Sequence, residues 1–169
     1  MILAAGTLLT IPMGTATAGS YFGVDATSLG VVSDNYAEDP NPAGLRFRLG
    51  LGVENGFDLE GQFGGGIDNS VPGLDSLNLF YVGVYLKGYV PLGQRSALFA
   101  MAGGAGVSIE QQTVSGAFIS EEVGFSYGFG LETQLGRHTS LTADYVRYEV
   151  GDRVFPDVTI ISLGLTFYF

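Results

Sequence analysis

A closed all-β fold, eight antiparallel strands in up-and-down order, is what this chain of 169 residues predicts, and three observations predict it. Apolar and polar residues alternate with period two along most of its length, the pattern of strands that show one face to each side of a sheet. The composition holds 27 Gly, 12 Phe and 9 Tyr, rich in strand formers and in turn residues. Asn55-Gly56 separates two alternating runs, and Asn-Gly in that position is the strongest short-range hairpin signal.

Each element follows from the same alternation. The first strand is expected over about Tyr21–Val31, with Phe22, Val24 and Ala26 opposite Tyr21, Asp25 and Thr27. A polar connection, SDNYAEDPNP, leads to the hairpin. Its strands set Leu45, Phe47, Leu49, Leu51 and Val53 against Arg46, Arg48 and Glu54, then Phe57, Leu59 and Phe63 against Asp58, Glu60 and Gln62. After GIDNSVPGLDS, a fourth strand over about Leu77–Val90 opposes Phe80, Val82, Val84 and Leu86 to Tyr81, Tyr85, Lys87 and Tyr89. The fifth, about Ala97–Glu110, sets Phe99, Met101, Val107 and Ile109 against Ala100, Ala102, Gly104, Gly106, Ser108 and Glu110. A loop is expected around Gln111–Ser120. The sixth strand opposes Val123, Phe125, Phe129 and Leu131 to Glu122, Ser126 and Glu132. The seventh sets Leu141, Ala143 and Tyr145 against Thr142 and Asp144, and its upper end, VRYEV, breaks the pattern in the manner of a bulge. The eighth opposes Ile161, Leu163, Leu165, Phe167 and Phe169 to Ser162, Gly164, Thr166 and Tyr168.

Connections after odd-numbered strands read as long and acidic, and those after even-numbered strands as short. A transmembrane barrel has this asymmetry, with short periplasmic turns and longer outer loops. The first 18 residues differ from the rest: MILAAGTLLTIPMGTATA carries no charge, an apolar run to Ile11 and the small-x-small set Ala16-Thr17-Ala18. That is the apolar and cleavage region of a secretory signal peptide. Its basic start is missing, so the true start codon is expected upstream, and residues 19–169 form the barrel domain.

Alternation alone does not say which face is inside, because a soluble eight-stranded barrel hides the apolar one. Residue size decides. The polar face is mostly Gly, Ser, Ala and Tyr, which suits a narrow interior that side chains just fill. Tyr81, Tyr85 and Tyr89 beside Gly64, Gly104 and Gly106 give the large-next-to-small packing such a lumen needs. The apolar face is large throughout, and acyl chains accept it at no cost while a closed sheet satisfies every backbone group. Arg46, Arg48, Glu54, Asp58, Glu60, Lys87, Glu122, Glu132 and Asp144, with Asp25, are therefore expected in the lumen.

With its leader, eight alternating strands and the ending LGLTFYF, the chain resembles the small outer-membrane β-barrel family of Gram-negative bacteria, the OmpA/OmpX-like barrels. The family's mark is a terminal aromatic preceded by apolar residues at every second position, here Phe169, Phe167, Leu165, Leu163 and Ile161. The resemblance implies location in the cell outer membrane, passage with periplasmic chaperones, and recognition of the last strand by the barrel-insertion machinery. Larger members add a periplasmic peptidoglycan-binding domain; residues 19–169 offer none, so that function is not implied.

Function is bounded by charge. Lys plus Arg number 7 against 17 Asp plus Glu, a net −10, and nucleic acid is not an expected partner of so acidic a chain. No Cys is present, which removes disulfides and thiolate metal sites. No cofactor is expected. The lumen charges read as a closing salt-bridge and hydrogen-bond network; where a rearranging Arg–Glu pair is considered, the candidates are Arg46 or Arg48 with Glu132 or Glu60, Glu60 being favoured by strand adjacency. The alternative is a narrow cation-preferring pore gated by such a pair. His138 and Ser140 with Asp152 resemble the triad of outer-membrane lipid A deacylases, but the topology puts Asp152 a membrane thickness away, so catalysis is not expected. The outer loops carry Asp34, Glu38, Asp39, Asp68, Asp75, Glu121, Asp152 and Asp157 and are expected to be solvated; SDNYAEDPNP has oxygen ligands for a hard cation such as Ca²⁺ but lacks a recognised ligand spacing. They would repel lipopolysaccharide unless divalent ions bridge them. Aromatic belts are expected from Tyr127, Tyr145, Tyr148, Phe63 and Phe80 outside and Phe57, Phe99, Phe167 and Phe169 inside. The expected role is structural or surface-interactive, through the outer loops and a ligand not specified by the sequence.

Overall fold

A computed structural model describes residues 19–32, 42–53, 56–68, 76–113, 116–149 and 157–169. The expected leader, Glu54, and Asp34, Glu38, Asp39, Asp75 and Asp152 of the long connections lie outside the described residues. Eight strands, β1 (Tyr21–Val32), β2 (Ala43–Val53), β3 (Phe57–Asp68), β4 (Ser76–Pro91), β5 (Ser96–Thr113), β6 (Gly116–Gln134), β7 (Thr139–Glu149) and β8 (Asp157–Tyr168), pair in sequence order. They form a closed barrel, and β1 pairs antiparallel with β8 from Tyr21 opposite Tyr168 to Val32 opposite Asp157. Closure leaves no free sheet edge, the condition for a sheet to sit in hydrocarbon.

The Asn-Gly hairpin is formed. Val53 faces Phe57 across it, and Gly56 takes a φ of 81°, a left-handed conformation glycine adopts without a Cβ clash. The orientation inferred from residue size also holds. Arg46, Arg48 and Lys87 are fully buried, whereas Leu45, Leu49, Phe80 and Leu163 are 54% to 56% exposed on the outer wall.

Strand β5 departs from expectation. Phe99, Met101, Ala105, Val107 and Ile109 point into the lumen, and Ala100, Ala102 and Gly104 face outward. Both faces of β5 are free of charge over most of its length, so its own composition does not orient it. Register does, because residues directly opposite in a ladder share a face. Leu86 of β4 and Tyr127 of β6 both stand opposite Ala102, and Leu86 is exposed. Gly104 and Gly106 therefore lie on the outer wall, and Gly103 is the glycine opposite Tyr85.

Two further expectations are corrected. The segment around Gln111–Ser120 is mostly strand: β5 and β6 continue as one hairpin to Thr113 opposite Gly116. Strand β7 has no bulge, since its ladder to β6 is continuous from Phe125 opposite Glu149 to Gln134 opposite Ser140. Val146 and Tyr148 simply keep the inward parity of Asp144. Phe99 and Tyr148 consequently leave the aromatic belts for the lumen.

The core is the lumen itself, and it has two layers. Around the ends of β1, β4, β5, β7 and β8 nearest the long connections, Leu29, Leu79, Val107, Ile109, Val146, Val158 and Ile160 cluster with Tyr81 and Tyr148. Nearer the short turns the interior is ionic. Large side chains lie across glycines: the Tyr21 ring covers Gly50, Tyr81 reaches Gly64, and Phe99 covers Gly130.

Candidate functional site: the ionic lumen

Arginines on β2 organise the ionic layer. Arg46 and Arg48 sit two residues apart, so they share the lumen face and rise one above the other. Asp25, opposite Arg46 on β1, accepts from Arg46 Nε at 2.7 Å and from Arg48 Nε and Nη2 at 2.7 and 2.8 Å. The rest of the Arg46 fork crosses the barrel to β7, where Nη1 and Nη2 donate to the two oxygens of Asp144 at 3.0 and 2.5 Å. Ser162 on β8 accepts from Arg46 Nη2 and donates to Asp144, both at 2.6 Å. Arg48 Nη2 also donates to Thr166 at 3.0 Å.

Glu60 on β3 is the second hub. It accepts from Gln62 Nε2 at 2.7 Å, from Lys87 Nζ at 3.2 Å and from the Tyr21 hydroxyl. Arg48 Nη1 stands 3.5 Å away. The Lys87 ammonium lies 4.0 Å from the centre of the Phe99 ring and 3.9 Å from Glu132 Oε2, so an aromatic face and a second carboxylate share its charge. Tyr168 donates to Glu132, and Tyr89 donates to half-buried Asp58 at 2.7 Å.

Among the described residues the fully interior charges are thus Arg46, Arg48 and Lys87 against Asp25, Glu60, Asp144 and Glu132. Desolvating so many ions is costly unless each finds partners, and the bidentate arginine geometry supplies them. Of the pairs expected from sequence, Arg48 with Glu60 forms. Arg46 goes instead to Asp25 and Asp144, and Glu132 faces Lys87. Glu122, opposite Val107, is part-exposed and outside this network. Sequence reasoning missed Tyr21, Gln62, Ser162 and Thr166 as partners, and it missed the apolar layer. Continuing each strand's inward parity past Asp25, Asp144 and Ser162 gives Leu29, Val146, Tyr148, Ile160 and Val158, so the signal was present. His138 is exposed in a short turn while Ser140 is buried on β7.

A model of the outer membrane protein beta-barrel domain matches residues 1–169 of this sequence. The chain belongs to that family. Solved barrels share its fold at low identity. Neisserial surface protein A is 14% identical with a TM-score of 0.77, covering 89% of this chain and 97% of that one. Ail, the attachment invasion locus protein of Yersinia pestis, solved with the heparin analogue sucrose octasulfate, is 19% identical with a TM-score of 0.67 over 89% and 97%. The N-terminal barrel of Pseudomonas aeruginosa OprF is 13% identical with a TM-score of 0.66 over 88% and 97%. Among curated proteins none matches in sequence. The family member described here is an outer-membrane protein, and its lumen-directed arginines and carboxylates are those of a transmembrane barrel whose outer wall meets lipid.

Proposed function

We propose that this outer-membrane barrel is a closed scaffold that holds its long acidic connections outside the cell as an interaction surface, with the short turns in the periplasm. The observation that carries this reading is the doubly filled lumen. An ionic layer spans it from Asp25 to Glu132, and the apolar layer around Leu29, Val107 and Ile160 fills the half nearer the long connections. Water and ions crossing such an interior would have to displace both. The neighbour Ail is known with a polysulfated ligand; the acidic connections here favour a cationic surface, or an anionic one bridged by divalent ions. The outward row Ile161, Leu163, Leu165, Phe167 and Phe169 supports recognition by barrel-insertion machinery after chaperone delivery. The test pairs two measurements. Planar bilayers holding the protein should stay silent, and cells carrying loop-swapped barrels should lose surface binding while keeping the folded barrel. Single-channel events that change on charge reversal at Lys87 or Glu132 would replace this reading with the narrow pore.

A further inference from the structure

The β5 inversion leaves a mark on the outer wall. Between the walls of β3 and β4 and the small outward residues of β5 lies an apolar depression of about 450 Å³, lined by Phe57, Leu86, Gly88, Val90, Ala100 and Ala102. Its volume is within the range of about 300–1,000 Å³ typical of small-molecule sites. It opens sideways, on the face that meets acyl chains, in the half of the barrel nearer the short turns.

Directly below it, the β4–β5 turn carries Arg95, exposed. Its carbonyl accepts from Gln134 N at 2.7 Å, which ties this turn to the end of β6, next to the exposed Arg137 and His138. Arg95, Arg137 and His138 are the ionisable groups of the β4–β5 and β6–β7 turns, on a chain of net charge −10, while the Asn-Gly turn carries Glu54 in its sequence. Ala100 lies five positions beyond Arg95, a rise of roughly 12 Å along the bilayer normal once strand length and tilt are counted. A lipid phosphate at Arg95 would bring the middle of its acyl chain to the depression.

From this juxtaposition of an apolar depression and the exposed Arg95 at its short-turn end, we propose that the barrel holds one anionic glycerophospholipid of the periplasmic leaflet, acyl chain against Ala100 and Ala102 and phosphate at Arg95. This rests on the membrane orientation proposed above. The test is native mass spectrometry of the folded barrel released from detergent micelles with phosphatidylglycerol or phosphatidylcholine of the same chains added. The expected result is preferential retention of one phosphatidylglycerol. Arg95→Gln should cut that preference about fivefold, the loss of one basic contact at a membrane surface. Arg137→Gln, on the next turn, should cut it less. Ala102→Phe, or the smaller Ala100→Leu should that variant not fold, should lower retention of both lipids. Equal retention of the two lipids, or equal effects of Arg95→Gln and Arg137→Gln, overturns the site. A gel of unheated against boiled sample separates this from failure of the barrel reading, because only an unfolded chain lacks the heat shift.

Discussion

Asp25 holds a consequential position among the described residues, because two guanidinium groups converge on it. Removing one partner of a buried ion cluster strands the others in a medium that solvates them poorly. Asp25→Ala is therefore expected to destabilise the barrel by about 3–5 kcal/mol, read as a lower urea midpoint in micelles. Asp58→Asn, at a half-buried carboxylate held by Tyr89, should shift that midpoint far less. Glycines offer a second contrast at this scale. A Cβ on Gly64 would come within 2.5 Å of the Leu45 carbonyl and 2.7 Å of the Tyr81 hydroxyl, whereas one on Gly104 meets nothing within 4 Å. Gly64→Leu should cost at least about 1–3 kcal/mol through overpacking, and Gly104→Leu should leave thermal stability unchanged or raised.

Strands differ in how firmly their sequences orient them. In β2 and β3 the charged parity is unambiguous: Arg46 and Arg48 against Leu45 and Leu49 admit one arrangement once the outside is lipid. Strand β5 carries no such signal, since Phe99 and Met101 compete with Ala100 and Ala102 on hydrophobicity and lose the outer wall only through register. Its orientation is checked by cysteine scanning, which the absence of native Cys makes clean. Cysteines at Ala100, Ala102 and Gly104 should react with a lipid-soluble maleimide in the folded barrel, and those at Phe99, Met101 and Val107 should be protected until denaturation. The same limit explains the partner list. Neighbouring-strand pairs such as Asp25 with Arg46 follow from hairpin pairing, but Arg46 reaching Asp144 across 98 positions depends on closure, which period-two patterning does not encode. Polar acceptors such as Ser162 and Thr166 read as ordinary small lumen residues until that closure is known.

For the whole molecule, the layered lumen sets the expected response to its surroundings. Its ion pairs are shielded from solvent, so screening reaches them weakly. The unfolding midpoint should move little between about 0.05 and 1 M salt, in contrast to a barrel whose charges line a wet channel. A large salt-dependent loss of stability would show instead that water enters the ionic layer. Conductance should likewise stay absent when a single residue of the apolar layer such as Ile160 is trimmed to Ala, because the charged layer still blocks the axis.

The arginines of β2 grip carboxylates and hydroxyls on the first strand and on the last two, so the seam where the chain's ends meet is latched electrostatically as well as zipped by its ladder. Assembly then has little to gain from any partial cylinder: until β7 and β8 arrive, the Arg46 and Arg48 side chains lack half of their hydrogen bonds. Insertion of this protein should accordingly be a late, all-or-none event, with the lock and the wall completed in the same step.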